Sequence, residues 1–372
     1  VMKLIIIGAS LAGVSLAANV KGYEVTLISK EKVLPYYRMR LGEVLTGKSI
    51  DSLALHPLSW YQERNIDLRL GEEVVRIDRE SKTILLSDSS SLSYDVLVLA
   101  TGSNANTLTF PSKELEVMTL RNSEDVEKIA SKLKEGKQII SVLGGGLLGL
   151  ELAATFATLS HEVTVFESST YLLPRQLDKD SALFLEALLL KKGIKVVKEA
   201  KIVDTTKDAV ALENGAVVPT TLFCASIGVK PEISLAKECK LECNKGIIIN
   251  SSFLTSDENI YAIGDVVEYK GQGFGLAMYA IEMAQTLAKV LQGESLEYAP
   301  STPSSILKVA GISLVSLGSK QGEGIKIQNK ESFEEYFIED KVLKGAILIN
   351  ANSKLAKVRQ TLNKEVKVED LI

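Results

Sequence analysis

The stretch QIISVLGGGLLGLELAATFATLSHEVTVFE, residues 138–167, decides the fold. It predicts a strand at 138–143, a glycine turn at 144–149, a helix at 147–159 and a second strand at 162–167. The first of these strands is nearly all apolar, as is typical of a parallel strand covered on both faces. The pattern is that of a β-α-β unit and predicts an α/β domain.

The turn carries all three glycines of the dinucleotide fingerprint G-x-G-x-x-G, at Gly144, Gly146 and Gly149. The first glycine allows the tight turn, the second lets the backbone approach a pyrophosphate, and the third lets the helix pack closely on the strand. Glu167 ends the second strand, where a carboxylate binds the ribose hydroxyls and repels a 2′-phosphate. We therefore expect NADH rather than NADPH here, with a simple packing turn as the alternative.

The same order of strand, glycine turn, helix and strand opens the chain. A strand at 3–7 leads into a glycine turn and a helix, and a second strand follows at 24–28. Gly8 and Gly13 match the fingerprint, but Ser10 holds the middle position. Ser29 stands where an acidic residue is expected, and Glu31 follows two residues later. This turn predicts a second dinucleotide site, less specifically than the first, and an ordinary packing turn remains open.

The rest of the chain is organised around these two units. Strands are expected at 74–78, 83–87 and 95–99, with a serine-rich turn at 87–93. A helix at 180–191, a strand at 193–197 and a hairpin around Asn214-Gly215 follow the second unit. A polar linker with two prolines is expected at 298–303. Beyond it, strands are expected at 306–310, 333–339 and 343–349 and a helix at 351–362.

Composition excludes several classes of protein. Hydrophobic residues make up 46% and charged residues 24% of the 372 residues, as in a folded globular protein. A net charge of −4 argues against a nucleic-acid partner. No apolar run approaches the roughly 20 residues that span a bilayer, and the start lacks the pattern of a secretory signal, so we expect a cytoplasmic protein. Two histidines and three cysteines argue against a metal site.

Three further segments carry a family resemblance. YDVLVLATGS at 94–103 and TSDENIYAIGD at 255–265 resemble two stretches of the FAD-dependent pyridine nucleotide-disulfide reductase superfamily. LPYYRMRLGEVL at 34–45 is similar to the flavin-side loop of its rubredoxin and ferredoxin reductase branch. The resemblance runs from Met2 to about Ile349 and is closest to the NADH:rubredoxin oxidoreductases.

The resemblance implies an FAD domain interrupted by an inserted NADH domain. Both domains would be Rossmann-like, in a glutathione-reductase-like arrangement. A small C-terminal α+β domain would follow them. We expect the FAD domain at 1–107 and 228–297, the NADH domain at 108–227 and the C-terminal domain at 298–372. A helix at 276–291 would point its positive N-terminus at the flavin edge.

The expected site residues follow from the turns and the resemblance. Those expected to bind FAD are Gly8, Ser10, Leu11, Ala12, Gly13, Ser29, Lys30, Arg38, Ala100, Thr101, Gly102, Gly264 and Asp265. Those expected to bind NADH are Gly144, Gly146, Leu147, Leu148, Gly149 and Glu167. Glu151 matches the family glutamate near the nicotinamide, with an ordinary first-turn glutamate as the alternative. Arg40 is a candidate catalytic cation, because Glu43 stands where relatives carry a lysine.

The cysteines limit the chemistry. The disulfide-reducing relatives carry a C-x-x-x-x-C pair after the FAD turn, but no cysteine precedes Cys224 here. Cys239 and Cys243 are expected on a surface loop and Cys224 in the core. Thiol exchange beside the flavin is therefore not available.

We accordingly expect NADH to reduce FAD and the electrons to leave to a small iron protein, rubredoxin or ferredoxin. A peroxide-forming NADH oxidase, an NADH-accepting component of a nitrite-reductase-like system and a redox-sensing flavoprotein remain open as alternatives.

Overall fold

The computed structural model describes residues 1–301 and 305–371. The chain forms two compact units. Unit 1 comprises Val1–Ala105, Arg121–Val126 and Gly228–Thr302, and unit 2 comprises Asn106–Leu120, Glu127–Ile227 and Pro303–Ile372. The predicted boundaries at 107, 227 and 297 stay a prediction, since unit 2 contains both the expected NADH segment and the C-terminal segment. The end of the linker predicted at 298–303 lies outside the described residues.

Strands outnumber helices along the described part of the chain. The strands up to residue 105 are β1 Met2–Ile7, β2 Tyr23–Ser29, β3 Ile66–Leu70, β4 Val74–Asp78, β5 Thr83–Leu86, β6 Ser91–Ser93, β7 Val96–Leu99 and β8 Ser103–Ala105. Those up to residue 225 are β9 Val117–Met118, β10 Ile139–Leu143, β11 Glu162–Phe166, β12 Ile194–Val197, β13 Ile202–Thr206, β14 Ala209–Leu212, β15 Val217–Pro219 and β16 Leu222–Ala225. The remaining strands are β17 Val229–Pro231, β18 Ile247–Ile248, β19 Ile260–Ala262, β20 Val267–Tyr269, β21 Gln272–Gly273, β22 Ser305–Val309, β23 Ile312–Gly318, β24 Glu323–Gln328, β25 Phe333–Glu339 and β26 Val342–Ile349. The α-helices are α1 Leu11–Asn19, α2 Gly42–Leu45, α3 Leu58–Glu63, α4 Ser123–Leu133, α5 Leu147–Thr158, α6 Lys179–Lys191, α7 Ser234–Glu238, α8 Ala277–Leu291 and α9 Leu355–Thr361.

Unit 1 is built on a five-stranded parallel sheet in the order β19-β7-β1-β2-β3. Its central strands are buried on both faces, which is why β1 and β7 lack polar alternation. The glycine turn joins β1 to α1, and α1 packs against α8. The carboxyl ends of the central strands therefore lie beside the turn.

Unit 2 repeats this plan with the parallel order β12-β11-β10-β16-β9. In each unit a three-stranded antiparallel sheet, β4-β5-β6 or β13-β14-β15, is inserted before the fourth strand of the repeat. The hairpin predicted at Asn214-Gly215 joins β14 to β15 and is confirmed. The predicted fold class of two dinucleotide-type α/β modules is likewise confirmed.

The C-terminal part of unit 2 is a five-stranded antiparallel sheet in the order β22-β23-β26-β25-β24. Two of its strands, β23 and β24, were not predicted. In β24 glycine and charged residues obscure the strand pattern, whereas β23 carries apolar residues interrupted by serine. The predicted helix at 351–362 is shorter, with a 3-10 turn at Asn352–Lys354 before α9. The serine-rich turn predicted at 87–93 is wrong for its last residues. There Ser91–Ser93 pairs with β5 as an edge strand.

The only tryptophan of the chain lies in unit 1. The Trp60 ring stacks on His56 with centroids 3.8 Å apart and planes 7° apart. The Arg64 guanidinium lies 4.3 Å from the Trp60 ring centroid. Burial, followed by the Arg64 charge, lowers the pKa of His56. Both rings thus serve packing.

Within the described ranges, no helix has the length and apolarity needed to cross a membrane.

The C-terminal sheet docks on α6 through a pair of carboxyl groups. Glu335 of β25 is only 2% exposed and is hydrogen-bonded to Asp178, the N-cap of α6. Lys326 of β24 pairs with Asp180, and its Nζ lies 3.7 Å from Glu335 Oε1. Among the residues described, no donor faces Glu335 Oε2. Two acceptors in contact require a proton between them.

The environment of Glu335 keeps that proton bound near neutrality. Burial, and after it the Asp178 charge, raises the pKa of Glu335 from 4.5 to about 7. Gly324 of the neighbouring strand leaves the room that this side chain needs, because a Cβ there would lie 2.4 Å from Glu335 Oε1. The shared proton therefore stabilises the contact between the sheet and α6 most strongly in mild acid.

We predict that Glu335→Gln flattens the dependence of stability on pH. Because the folded-state pKa is raised from 4.5 to about 7, the stabilisation is full below pH 4.5 and is lost as pH rises through about 7. Glutamine offers Asp178 an N–H donor at every pH. As the pH rises from about 5 to about 8.5, the free energy of unfolding of the variant should increase by about 1–3 kcal/mol relative to that of the wild type. Urea unfolding followed by circular dichroism measures this difference.

The matched control is Glu331→Gln, which removes the same charge from an exposed position of the same module. It should leave the pH dependence unchanged. Parallel pH profiles for wild type and Glu335→Gln would contradict the shared proton.

Candidate functional site

The first glycine turn brings α1 against β1 at a close backbone contact. A Cβ at Gly13 would lie 1.9 Å from the Gly8 carbonyl oxygen, and a Cβ at Gly8 would lie 2.1 Å from the Ala100 carbonyl oxygen. Gly8 also has a φ of +112°, which L side chains rarely adopt. The backbone therefore excludes a side chain at both positions.

Ser10, the departure from the fingerprint, is the N-cap of α1. Its backbone is extended, with φ −114° and ψ −163°, so a non-glycine residue fits without strain. Its side chain makes no capping hydrogen bond. The hydroxyl and the first N–H groups of the helix, which begins at Leu11 and Ala12, can therefore face an anionic ligand.

The second turn repeats these constraints in unit 2. A Cβ at Gly149 would lie 2.0 Å from the Gly144 carbonyl oxygen, and a Cβ at Gly144 2.2 Å from that of Ser226. Gly146 differs, because its φ is −77° and a Cβ there would meet nothing within 4 Å. The open space beside Gly146 fits a pyrophosphate at the N-terminus of α5.

Glu167 follows β11 and holds the second turn. Its Oε2 accepts the Gly145 N–H at 2.8 Å, and its Oε1 accepts the Ser169 N–H at 2.7 Å. Burial raises the pKa of Glu167, but these hydrogen bonds outweigh burial and keep the pKa below its usual value. The carboxylate is thus ionised and fixed where the fingerprint places a ribose ligand.

Ser29 occupies the same register position in unit 1. Ile7 pairs with Ile28 there, just as Leu143 pairs with Phe166 before Glu167. The Ser29 Oγ accepts the Glu31 N–H at 3.2 Å. A hydroxyl therefore replaces the carboxylate at this end of the first site, and the exposed Lys30 follows it.

Glu31 lies two residues beyond that position and lines a cavity at the first turn, but neighbouring side chains hold its carboxylate. It forms an ion pair with Arg38 at 2.7 Å and accepts hydrogen bonds from Tyr36 Oη at 2.7 Å and from Ser123. Burial raises the pKa of Glu31, but the Arg38 charge and these bonds outweigh it and lower the pKa. Arg38 is fixed in turn, since its Nη1 donates to the Arg121 carbonyl at 2.6 Å.

A cavity of about 400 Å³ opens at the first turn. The expected residues that line it are Gly8, Ser10, Ser29, Lys30, Arg38, Ala100 and Thr101. Leu11, Ala12, Gly13, Gly102, Gly264 and Asp265 do not line it. The lining combines the glycine turn and the N-terminus of α1, which suit a pyrophosphate, with two cations and five glutamates.

The segment after β7 supports the floor of this cavity. Ala100 lies under Gly8, and Thr101 Oγ1 donates to the Glu232 carbonyl at 2.8 Å. Gly102 has a φ of +70°. The Thr101 hydroxyl is therefore engaged with the protein, and this segment offers a ligand its backbone.

Asp265 belongs to a network that sequence reasoning missed. Its Oδ2 accepts the Ser103 hydroxyl at 2.8 Å and lies 3.3 Å from Arg121 Nη2. Arg121 also donates to the Ser103 hydroxyl at 2.7 Å. Gly264, with φ +83°, lies against Ala12 of α1. The network ties Asp265 to the same arginine whose carbonyl holds Arg38.

The sequence around Arg121 and Ser123 carries a local signal for the start of a helix. Asn122, between them, accepts the Asp125 N–H at 2.9 Å, which marks the start of α4. The helix start could be predicted from this local signal. The packing of Arg121–Val126 with unit 1 could not, because it depends on contacts between residues far apart in the chain. Burial lowers the pKa of Arg121 and the Asp265 charge partly offsets this.

Arg40 is not an isolated cation. Its Nε and Nη2 donate to both oxygens of Glu43 at 2.7 and 2.9 Å, and Lys48 Nζ lies 2.6 Å from Glu43 Oε2. Arg40 and Lys48 hold the pKa of Glu43 down at about 2. The three charges leave one net positive charge on this loop, and the catalytic role expected of Arg40 stays a prediction.

Glu151 lies on α5, two residues after the last glycine of the second turn. Burial raises the pKa of Glu151 above its usual value, and the nearby Ala310 amide and Lys308 charge offset this only in part. Leu148, one turn earlier, is 64% exposed. The two side chains share a face of α5, since residues three apart are neighbours on a helix.

None of the three cysteines, all of which lie in the described ranges, forms a disulfide. Cys224 is buried in β16, as expected. Cys239 and Cys243 are half-buried rather than on an exposed loop, because Cys239 follows α7 and packs on the unit 1 core. Burial raises the pKa of both thiols, which disfavours the thiolate. The ranges that the structure describes contain no group of three or more metal-ligating side chains.

Comparison with known families gives two matches along the chain. The family described as "Pyridine nucleotide-disulphide oxidoreductase" matches residues 2–284. The family described as "Rubredoxin NAD+ reductase C-terminal domain" matches residues 303–366. Together they cover nearly the whole sequence.

Individual relatives agree with these matches. The chain is 32% identical to the NADH-rubredoxin oxidoreductase of Clostridium acetobutylicum, over 95% of this chain and 93% of that protein. It is 33% identical to the assimilatory nitrate reductase electron transfer subunit of Bacillus subtilis, over 93% of this chain but 47% of that protein, so it spans about half that relative. Among solved structures, the covalent putidaredoxin reductase–putidaredoxin complex matches with a TM-score of 0.84 and 26% identity, over 100% of this chain and 95% of that chain.

The second turn allows structural and ligand-binding glycines to be separated by mutation. Gly144→Ala should lower the unfolding free energy by about 1–3 kcal/mol, because the new Cβ meets the Ser226 carbonyl in a left-handed backbone. Gly146→Ala should leave stability within about 0.5 kcal/mol but weaken binding of NAD⁺ about ten-fold, because its Cβ enters the open space. Thermal unfolding and calorimetric titration measure the two effects.

Gly193→Ala is the control for backbone strain alone, since its φ is +80° and a Cβ there meets nothing within 4 Å. It should cost less stability than Gly144→Ala and leave nucleotide binding unchanged. Loss of stability without loss of binding in Gly146→Ala would contradict the assignment.

Proposed function

Because the chain belongs to the pyridine nucleotide-disulphide oxidoreductase family, we propose that it is an FAD-dependent NADH oxidoreductase that passes electrons to a small iron protein, rubredoxin or ferredoxin. The observation that carries the proposal is the duplicated turn. Both units place an uncapped helix N-terminus behind two glycines that the backbone requires. Two such sites suit two dinucleotides, one resident and one exchanging.

FAD occupies the site in unit 1. When bound, it accepts two electrons from NADH and releases them one at a time. The N-terminus of α1 and the Ser10 hydroxyl hold the pyrophosphate in the cavity. Ser103 and Arg121 fix the Asp265 carboxylate. Asp265 accepts a hydrogen bond from a hydroxyl of the ribityl chain. The uncapped N-terminus of α8 provides a second positive helix end.

NADH occupies the site in unit 2. Gly146 and the first N–H groups of α5, at Leu147 and Leu148, bind its pyrophosphate. Glu167 accepts the adenosine ribose hydroxyls and repels a 2′-phosphate. Glu151 accepts a hydrogen bond from the N–H of the nicotinamide carboxamide. Each of these residues acts by positioning, which accelerates hydride transfer by fixing the reacting geometry.

The proposed electron acceptor rests on four observations. The relative from Clostridium acetobutylicum is named for rubredoxin, and the C-terminal segment matches a rubredoxin reductase domain. The similar putidaredoxin reductase structure is a covalent complex with putidaredoxin. No cysteine precedes Cys224, so the cysteine pair that disulfide-reducing relatives carry after the FAD turn is absent. Electrons therefore leave the flavin directly to a docked carrier.

A second candidate is supply of electrons to a nitrate- or nitrite-reducing system. The match to the nitrate reductase electron transfer subunit favours it, although the chain spans only about half of that protein. The cytoplasmic location expected from the sequence stays a prediction.

Stopped-flow mixing tests the proposal. The purified holoprotein, mixed anaerobically with NADH, should lose its visible flavin absorbance, and oxidised rubredoxin or ferredoxin should restore it faster than air-saturated buffer does. Faster reoxidation by air would replace the proposal with an NADH oxidase. Absence of bleaching by NADH would reject an NADH-dependent enzyme altogether.

Glu167→Ser should reduce the preference for NADH, because it installs the residue that unit 1 carries at the same register position. Loss of a charged hydrogen-bonding partner of this kind costs about 1–3 kcal/mol, or about five- to 150-fold in the NADH to NADPH ratio of kcat/KM. Glu213→Gln, which breaks an exposed ion pair with Lys201, is the control. An unchanged cofactor ratio in Glu167→Ser would contradict the role of Glu167.

A further inference from the structure

The segment that follows Glu167 is held at its far end by the C-terminal sheet. This rim segment, residues 168–177, runs from the ribose carboxylate to the residue before the N-cap of α6. Lys320 Nζ donates to two of its carbonyl oxygens, that of Pro174 at 2.9 Å and that of Leu177 at 2.6 Å. Both partners belong to unit 2. One ammonium group thus closes the end of the rim segment through two charge-assisted hydrogen bonds.

A second donor comes from the strand that precedes this lysine. Ser316 Oγ of β23 donates to the Gln176 carbonyl at 2.7 Å. The corner after β23 is rigid, because Gly318 has a φ of +68° and a Cβ there would lie 2.1 Å from the Lys344 carbonyl oxygen. The Ser319 N–H donates to the same carbonyl oxygen at 2.8 Å. The sheet therefore presents its three hydrogen bonds to the rim segment from a fixed backbone.

The part of the rim segment that receives these bonds is a strained turn. Leu173 has a φ of +51°, which a leucine rarely adopts, and it is 3% exposed. Its carbonyl oxygen accepts the N–H groups of Gln176 at 2.9 Å and of Leu177 at 2.8 Å. A strained residue of this kind persists only where its surroundings enforce its conformation. The hydrogen bonds from the C-terminal sheet fall on the turn that needs them.

This turn leads directly to the glycine turn of unit 2. Leu172 is fully buried, and a Cβ at Gly145 would lie 2.6 Å from its Cδ2. The other neighbour of Gly145 is the carboxylate of Glu167, which accepts the Gly145 N–H at 2.8 Å. Gly145 is thus packed between the side chain of Leu172 and the ribose carboxylate. A displacement of the rim segment would move both the glycine turn and Glu167.

We propose that Lys320 and Ser316 of the C-terminal sheet hold the rim segment and thereby position Glu167 and the glycine turn for the adenosine half of NADH. This inference rests on the proposed function and makes the two side chains positioning residues. It gives the C-terminal module a part in nucleotide recognition. Because the contacts lead to the ribose end of the site, their loss should affect binding of the adenosine half rather than hydride transfer at the nicotinamide.

The first test is binding of ADP-ribose, which carries the adenosine half and the pyrophosphate without the nicotinamide. Calorimetric titration of the oxidised holoprotein measures it. The double variant Lys320→Met, Ser316→Ala loses all three hydrogen bonds and should raise the dissociation constant about three- to ten-fold. Lys320→Arg alone, which keeps a cationic donor, should stay close to the wild type. Equal ADP-ribose affinity in the double variant and the wild type overturns the proposal.

The second test separates positioning from a loss of stability. In stopped-flow reduction of the flavin by NADH, the double variant should need more NADH for half-maximal rate, while its limiting rate stays within about two-fold of the wild type. A limiting rate that falls while the NADH requirement is unchanged contradicts the proposal. Lys344→Met is the control, because it removes a lysine of the same sheet that pairs with Glu339, and it should change neither quantity.

A double-mutant comparison isolates the coupling to Glu167. The double variant should also reduce the preference for NADH over NADPH, and in a Glu167→Ser background the same two substitutions should leave that preference unchanged. An equal effect in both backgrounds shows that the sheet does not act through Glu167, and the proposal fails. If the double variant does not fold, Ser316→Ala alone, which removes only the bond to Gln176, takes its place in every measurement.

Bleaching of the wild-type flavin by NADH, measured on the same preparations, keeps the two proposals apart. A wild-type protein that NADH does not reduce overturns the proposed function. A wild-type protein that is reduced, with a double variant indistinguishable from it in ADP-ribose affinity and NADH requirement, overturns the role of the C-terminal sheet alone.

Discussion

The structure depends on one close approach between backbone atoms, which occurs twice. In each dinucleotide module the helix after the first strand is packed so tightly that a Cβ on its third residue would lie about 2 Å from the carbonyl oxygen of the first turn glycine. Only hydrogen fits there. This contact sets the start of the helix, and thereby the direction of its free N–H groups. It also fixes the level at which the second strand ends, where Ser29 and Glu167 lie. The binding chemistry of both units follows from that geometry.

The two turns share this frame but differ in the residue at the end of the second strand. In unit 2 the carboxylate of Glu167 faces Gly145, where a Cβ would be only 2.9 Å from its Oε2. In unit 1 the smaller Ser29 stands at that position, and Ala9 takes the place of Gly145. The acidic residue nearby, Glu31, forms an ion pair with Arg38 and accepts hydrogen bonds from Tyr36 and Ser123. One site is thus built to recognise a ribose by charge, and the other relies on the pyrophosphate and on a cavity.

The sequence predicted the features that local rules control. Glycine spacing, apolar strands and the Asn214-Gly215 hairpin gave both α/β modules, because strand and turn signals act over a few residues. The residues that were missed act over long range. Arg121 reaches Asp265 across 144 residues, and Glu335 meets Asp178 across a contact between the C-terminal sheet and α6. No local pattern marks such pairs, since a buried ion pair and a solvated one use the same residue types. The edge strands β6 and β24 were missed for a related reason, as one partner strand tolerates polar sequence.

The stack of Trp60 on His56 makes unit 1 spectroscopically distinct from unit 2. The indole is the chain's only tryptophan, so tryptophan emission arises entirely from unit 1, where a bound flavin would absorb part of it. An imidazole 3.8 Å away quenches an indole more strongly once it carries a proton, so emission also reports the protonation of His56. Tyrosine and peptide signals arise from both units. A comparison of tryptophan emission with peptide circular dichroism therefore resolves whether the two units melt together or in sequence, without any introduced label.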